Sequence, residues 1–289
     1  MKTRYYRFAG IEIQITMPAK MMYEDERRLA PFAVSSVTDP HIFQYELTEV
    51  FPKPTGNCIA SLPNFQVYSD GDMQIRYIGS VSLGWENAYI RAIHKDKEHL
   101  VQLKSSQYPN KIGTHTVLDT LTVEHLVAKN DGFILHCSYI DYHGKAILFT
   151  APSETGKSTQ ADLWHQYRNA DIINGDRAVI RCIDGKLYAE GFPYSGSSNY
   201  CENRSLPLCA IVYLGQAPVT SIRKLRGYEA FAKIWEGISV NTWDKEDMDA
   251  VSSLTASIAE TIPVYHLPCT PTLSAVETLH QELERIHAI

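Results

Sequence analysis

Residues 145–159 read Lys145-Ala146-Ile147-Leu148-Phe149-Thr150-Ala151-Pro152-Ser153-Glu154-Thr155-Gly156-Lys157-Ser158-Thr159. The first six form a short apolar run of strand length. Residues 151–158 follow the pattern G-x-x-x-x-G-K-[ST], with Ala151 standing where the first glycine is usual and Thr159 just after it. From Ser158 to about Tyr167 the spacing predicts an amphipathic helix. A buried strand leading in and a helix leading out is the setting in which this pattern forms a phosphate-binding P-loop. The residue types suit that chemistry. Backbone N–H groups of the loop and of the helix N-terminus surround an anion, and the helix dipole favours it. Gly156 lets the chain turn sharply. Lys157 brings an ammonium to the β- and γ-phosphates, and Ser158 offers a hydroxyl to Mg²⁺. ATP and Mg²⁺ are therefore the expected ligands, held by Ala151, Pro152, Ser153, Glu154, Thr155, Gly156, Lys157, Ser158 and Thr159.

A magnesium site also calls for a carboxylate. Asp171-Ile172-Ile173 reads as the next strand, closed by Asn174-Gly175-Asp176. One strand–loop–helix–strand unit would set Asp176 at the carboxyl edge of the sheet, where ligands bind. An acid on the very next strand suits small kinases better than motor or switch NTPases. Taken alone, Asp176 also reads as an ordinary turn aspartate.

Working outward, Phe133-Ile134-Leu135-His136-Cys137-Ser138 predicts a strand before the loop, with Tyr142-His143-Gly144 as the turn between. Residues 118–130 read as a short helix. Ala178–Ile183 and Leu208–Leu214 read as strands. Helices are expected at about 227–238, 246–261 and 271–287, the last with Thr270 as N-cap and Pro271 at its first position. Before residue 117 short alternating runs dominate, at 5–15, 42–47, 65–68, 73–78 and 88–93. Asp39-Pro40, Ser69-Asp70-Gly71-Asp72 and Pro109-Asn110 separate them as turns. The expected organisation is a β-rich N-terminal domain over 1–117 and an α/β nucleotide-binding domain over 118–289.

Composition narrows the partners. The chain has 289 residues and a formal net charge of −6, without a basic stripe, so nucleic acid is a poor partner. No apolar run reaches membrane-spanning length. The charged, aromatic N-terminus does not read as a signal peptide. Six scattered cysteines include no C-x-x-C pair, so they read as reduced, mostly buried thiols of a cytoplasmic protein. There is no G-x-S-x-G elbow and no H-E-x-x-H, which removes support for serine hydrolases and zinc peptidases.

The order of these segments carries a resemblance. Leu135-His136 ends a strand, Tyr142–Phe149 and the loop follow, then Thr159–Trp164 and Ile172-Ile173-Asn174-Gly175-Asp176-Arg177. Residues 133–181 resemble the catalytic core of HPr kinase/phosphorylase and its relatives, which share a nucleotide-binding fold with ATP-dependent phosphoenolpyruvate carboxykinase. Gly191-Phe192-Pro193-Tyr194-Ser195-Gly196 and Leu206-Pro207-Leu208 look like the HPr kinase-like proteins found beside peptide-modifying enzymes. The similarity covers 118–289 and is specific in 133–177. It implies a catalytic set of His136, Lys157 and Asp176, with Asp176 or His136 as base toward the target hydroxyl. It implies metal ligation by Ser158 and Asp176, with Glu190 as a further ligand and Glu202 its rival. It also implies assembly into homo-oligomers. One departure stands out. The family has two adjacent acids where this chain has Gly175-Asp176. The N-terminal half does not resemble that of HPr kinases.

The sequence thus points to a kinase that moves the γ-phosphoryl of ATP to a hydroxyl of a peptide or protein. A small-molecule kinase, a nucleotide-binding accessory protein of a peptide-modification pathway, and carboxykinase chemistry are the other readings.

Overall fold

The structure, a computed structural model, describes residues 1–23, 28–108 and 112–289. It is a mixed α/β protein with two large sheets. The chain divides into two compact units, Met1–Thr122 and Val123–Ile289. The turn expected at Pro109-Asn110 lies outside the described residues.

In the first unit the strands are β1 (Lys2–Phe8), β2 (Ile11–Met17), β3 (Ala33–Val34), β4 (His41–Thr48), β5 (Asn57–Leu62), β6 (Phe65–Asp70), β7 (Met73–Gly79), β8 (Ala88–Lys95) and β9 (Glu98–Lys104). They form one sheet in the order β3-β1-β2-β4-β9-β8-β7-β6-β5. Strict alternation drives it: β2 buries Ile11, Ile13, Ile15 and Met17, and β8 buries Ala88, Ile90 and Ala92. A short helix, α1 (Thr114–Thr120), closes the unit, where the Thr120 hydroxyl and the buried Tyr45 hydroxyl are hydrogen-bonded.

The second unit opens with α2 (Val123–Ala128), so the single helix expected over 118–130 is two short helices interrupted at Leu121–Thr122. Thr122 has φ +50°, which an α-helix cannot continue through. Strands β10 (Gly132–Tyr142) and β11 (Lys145–Thr150) form a hairpin whose two-residue turn, His143-Gly144, has positive φ at both positions. That is the twist-matched turn for such hairpins. Next come α3 (Lys157–Arg168), β12 (Asp171–Asn174), β13 (Arg177–Ile183), β14 (Lys186–Glu190), β15 (Ser205–Gln216), β16 (Arg223–Leu225) and α4 (Gly227–Trp235). The chain continues with β17 (Ile238–Ser239), α5 (Lys245–Thr261), β18 (Val264–Cys269) and α6 (Leu273–Arg285). The cap of α6 differs from expectation. Thr272, not Thr270, is the N-cap, and Pro271 precedes the helix.

The sheet runs β11-β10-β13-β14-β15-β18-β16, and β15 also pairs with β11. Strands β10 and β15 are long enough to have different neighbours at their two ends. Helices cover both faces. Ala161 and Trp164 of α3 share one core cluster with Ala275, Val276, Leu279 and Leu283 of α6. Ala230 and Ile234 of α4, with Val251 and Ile258 of α5, share the other. Adjacent residues of β11 therefore alternate between two apolar faces, Ile147 and Phe149 on one, Ala146 and Leu148 on the other. A strand covered on both sides reads as an unbroken apolar run, as residues 146–149 do. Among the described residues no helix is long and apolar enough to cross a membrane. The cysteines are free thiols; Cys137, Cys201, Cys209 and Cys269 are buried and Cys58 is exposed.

Candidate functional site

Strand β10 is the axis of the site. It pairs antiparallel with β11 on one side and with β12 and β13 on the other. The two flanking segments therefore run in the same direction, and both deliver their carboxyl ends to one edge. Register pairs Cys137 with Thr150 at the end of β11, and His136 with Arg177 at the start of β13. The pairing of β10 with β12 shifts between Tyr139 and Ile140, and Gly175 and Asp176 form the break between β12 and β13. Such irregularities re-aim side chains where a flat ladder would not. Here the break sets the Asp176 side chain against His136 of β10 while its carbonyl still accepts from Cys137 N at 3.0 Å.

Beyond β11 the chain turns through residues 151–156 into α3. Glu154 has φ +64° and Gly156 has φ +114°, so this turn draws on left-handed backbone at two positions. No atom lies within 4 Å of where a Cβ on Gly156 would be, so its glycine answers to φ and not to crowding. Gly156 is the N-cap of α3 and has no side chain to accept from the first helical N–H groups. No acidic residue occupies the first turn. The positive end of the helix is thus left for an anion from outside.

A cavity of about 470 Å³ opens at this point, lined by Ser153, Glu154, Gly156, Lys157, Ser158 and Thr159 on one side. His136, Gly175, Asp176, Ser195 and residues 197–200, among others, complete it. Lys157 is only 7% exposed. Its Nζ donates to the carbonyls of Ala151 at 3.1 Å and Pro152 at 3.2 Å. Burial pulls its ammonium below the ordinary lysine value, opposed by Cys137 and Asp176 nearby. Ser158 Oγ donates to the Gly175 carbonyl at 3.4 Å. His136 Nε2 lies 3.4 Å from Asp176 Oδ1, and Arg177 Nε donates to Asp176 Oδ2 at 3.3 Å. Burial works to raise the Asp176 carboxyl, but His136 and Arg177 together outweigh it and hold it below the usual range. The carboxylate is therefore ionised at neutral pH.

The structure thus brings His136, Lys157, Ser158 and Asp176 to one cavity. Thr155 faces a second cavity, on the other side of the loop. Ala151 is buried beneath the loop, and neither it nor Pro152 lines the first cavity. Glu190 is not brought there: its carboxylate receives Arg181 Nη1 at 3.0 Å across the β13–β14 pair. Glu202 is also outside the lining, 3.5 Å from Arg204 Nη1. Arg204 pairs with Asp141 and Asp171, and Arg177 lies over the Tyr194 ring at 4.4 Å. Among the described residues one group of three potential ligands lies within metal reach, His125, Asp244 and Asp247. It stands at the start of α5, where Asp244 caps the helix and Asp247 receives Asn241.

Asn174 organises the acid, and nothing in its local sequence announces the role. It is fully buried. Its Oδ1 accepts from the backbone of Asp176 at 2.9 Å and Arg177 at 3.0 Å. Its Nδ2 donates to the carbonyls of Phe192 at 2.9 Å and Tyr194 at 3.2 Å. One side chain therefore fixes the turn that carries Asp176 and ties it to the segment that forms the far wall. Asn174→Ala is expected to destabilise the chain by about 2 kcal/mol, since four hydrogen bonds to buried or part-buried backbone groups are lost. Urea unfolding measures this, and an unchanged midpoint would mean that water or neighbours replace the amide.

The family model described as SynChlorMet cassette protein ScmC matches residues 108–284. No curated protein matches the chain. Among solved structures, the chain is similar to the structure of the Hpr(Ser) kinase/phosphatase from Coxiella burnetii, with 10% identity and a TM-score of 0.33, over 53% of this chain and 97% of that one.

Proposed function

The chain belongs to the SynChlorMet cassette protein ScmC family, and from that footing we propose that it is an ATP- and Mg²⁺-dependent kinase acting on a hydroxyl. The observation that carries this reading is the convergence of Lys157, Ser158, His136 and Asp176 on one cavity at the uncapped N-terminus of α3. The donor set fits a nucleotide phosphate. It combines unaccepted helix N–H groups, a buried lysine whose present partners are loop carbonyls, and a carboxylate across the cleft. In this reading the loop 151–159 and Lys157 hold the phosphates, and Ser158 and Asp176 hold Mg²⁺. Bound there, the metal would supply neutralisation of the phosphate charge. Asp176 or His136, whose Oδ1 and Nε2 lie 3.4 Å apart, orients the acceptor hydroxyl and takes its proton, with Asp176 reaching the metal through water where it serves as the base.

The second cavity, of about 560 Å³, suits the nucleoside. It flanks the same loop and is lined by Thr155, Gln160, Leu214, Ala217, Pro218 and Pro271, among others. An apolar slot with a few polar groups is the common setting for a planar base. A phosphate chain lying over Gly156 joins the two cavities, since both are lined by that residue.

The test is nucleotide binding and turnover by the purified chain. ATP binding by calorimetry and release of ADP are both expected with Mg²⁺, and both should fall steeply with EDTA. No binding in either condition would end the reading. Binding without turnover would favour a nucleotide-binding accessory role. The presence of Gly175 beside the single acid Asp176 is the feature that supports this second reading.

A further inference from the structure

The far wall of the first cavity is made by the chain itself, and it carries serines. Residues 195–198 form a closed turn: Ser198 N donates to Ser195 O at 2.8 Å, and Ser195 Oγ donates to Ser198 O at 3.2 Å. Ser195 is 1% exposed, which anchors the turn. The turn lies directly over the acid. A Cβ on Gly196 would stand 2.8 Å from Asp176 Oδ1. A Cβ on Gly175 would overlap Ser198 Oγ and stand 2.5 Å from Ser198 Cβ. The Ser198 hydroxyl therefore rests against Gly175, whose carbonyl accepts from Ser158 Oγ. Ser198 Oγ accepts from Tyr200 N at 3.1 Å, which leaves its own proton to be given elsewhere. Ser197 also lines the cavity but is exposed, and no contact holds it against Gly175.

We propose that residues 195–200 act as a built-in acceptor, and that the chain phosphorylates itself on Ser198. The inference rests on the kinase reading above. In the step, Ser198 Oγ forms a bond to the γ-phosphorus of ATP and the bond from that phosphorus to the ADP oxygen breaks. The hydroxyl proton passes to the Asp176 carboxylate and then to solvent, and ADP leaves. The geometry supplies what the step needs: a hydroxyl held against Gly175, whose carbonyl accepts from Ser158 Oγ, the Asp176 carboxylate under the same turn, and no diffusional encounter to wait for. A phosphate on Ser198 would then add charge to the wall that any external acceptor must pass, so the first turnover would set the activity of later ones.

The experiment is incubation of the full chain with Mg²⁺ and ATP, followed by tandem mass spectrometry and assay of ADP. One phosphate on Ser198 is expected, absent from Lys157→Ala and from Ser198→Ala. The rate per molecule should not change over a tenfold range of protein concentration, as an intramolecular transfer requires. ADP release with Ser198 unmodified would overturn the built-in acceptor and leave the kinase reading intact. Phosphate only on Ser197, Tyr200 or elsewhere would overturn the assignment to Ser198, and a per-molecule rate proportional to concentration would overturn the intramolecular step. Absence of ADP release and of phosphate together would overturn both.

Discussion

A chain carrying Lys157→Ala is expected to lose ATP turnover by at least about a hundredfold while remaining folded. The two halves of that expectation have separate causes. Lys157 sits in the first turn of α3, is nearly buried, and faces the cavity shared with Ser158, His136 and Asp176. If the cavity takes a triphosphate, this ammonium is the one lysine lining it among the described residues, and its removal costs charge stabilisation where charge develops in the transition state. The stability side is small. The side chain contributes two hydrogen bonds to loop carbonyls, worth about 1 kcal/mol each. Against this stands the burial that already pulls the lysine below its ordinary value, and that penalty disappears with the ammonium. The expected net change in unfolding free energy is within about 1 kcal/mol. Calorimetric ATP titration, ADP release and thermal melting together test the expectation. Wild-type turnover in the variant would remove the kinase reading. A collapsed melting curve would instead reassign Lys157 to holding the loop.

Where the chain's own periodicity reports burial, the sequence is readable. Residues 146–149 are apolar throughout because helices cover both faces of β11, and the helix that follows is marked by a loop motif of fixed spacing. Hidden elements have identifiable reasons. Five of the six positions of β5 are exposed, so no face of it is apolar enough to show. In β9 the buried positions are His99, Val101 and Leu103, and the histidine breaks the alternation. Strand β14 is short and buries only Ala189.

The site divides in the same way. The loop and the acid follow each other within one strand–helix–strand unit, so their proximity is legible from order alone. Asn174 and Ser198 are different. Asn174 acts through backbone carbonyls of residues 192 and 194, and Ser198 acts by resting on a glycine 23 positions earlier in the chain. Contacts of that kind depend on where a long loop returns, and no period or motif encodes the return. The sequence does carry a trace of it, in the glycine that stands beside Asp176.

That trace leads to the second large effect. Gly175→Ala is expected to destabilise the chain by about 2 kcal/mol, and Gly175→Asp by at least as much. Gly175 is not in the left-handed region, so the backbone itself would accept a side chain. The obstacle is Ser198. The new Cβ would overlap its Oγ and stand 2.5 Å from its Cβ, separations that real Cβ atoms do not show. Ser198 is not a flexible tip that can swing aside, because its turn is pinned by Ser195 and tied through residues 192 and 194 to Asn174. Either the turn lifts off Asp176 or the β12–β13 break distorts, and both routes give up hydrogen bonds already counted. The aspartate adds repulsion against Asp176, so an acid pair at this position is incompatible with the turn as it lies. Ser198→Gly should be nearly neutral alone, losing one exposed hydrogen bond to Tyr200 N. In combination it should rescue Gly175→Ala, since the nearest remaining atom of residue 198 would be its Cα, 3.9 Å away. A double-mutant cycle by urea unfolding reads this directly, with an expected coupling of about 1–2 kcal/mol in favour of the pair. Additive effects would mean that the turn does not rest on Gly175 in solution. The far wall would then be open, and the glycine would need another cause. Strong coupling would instead tie the single acid to the turn: the chain has one carboxylate at this position because the room for a second is taken by its own serine.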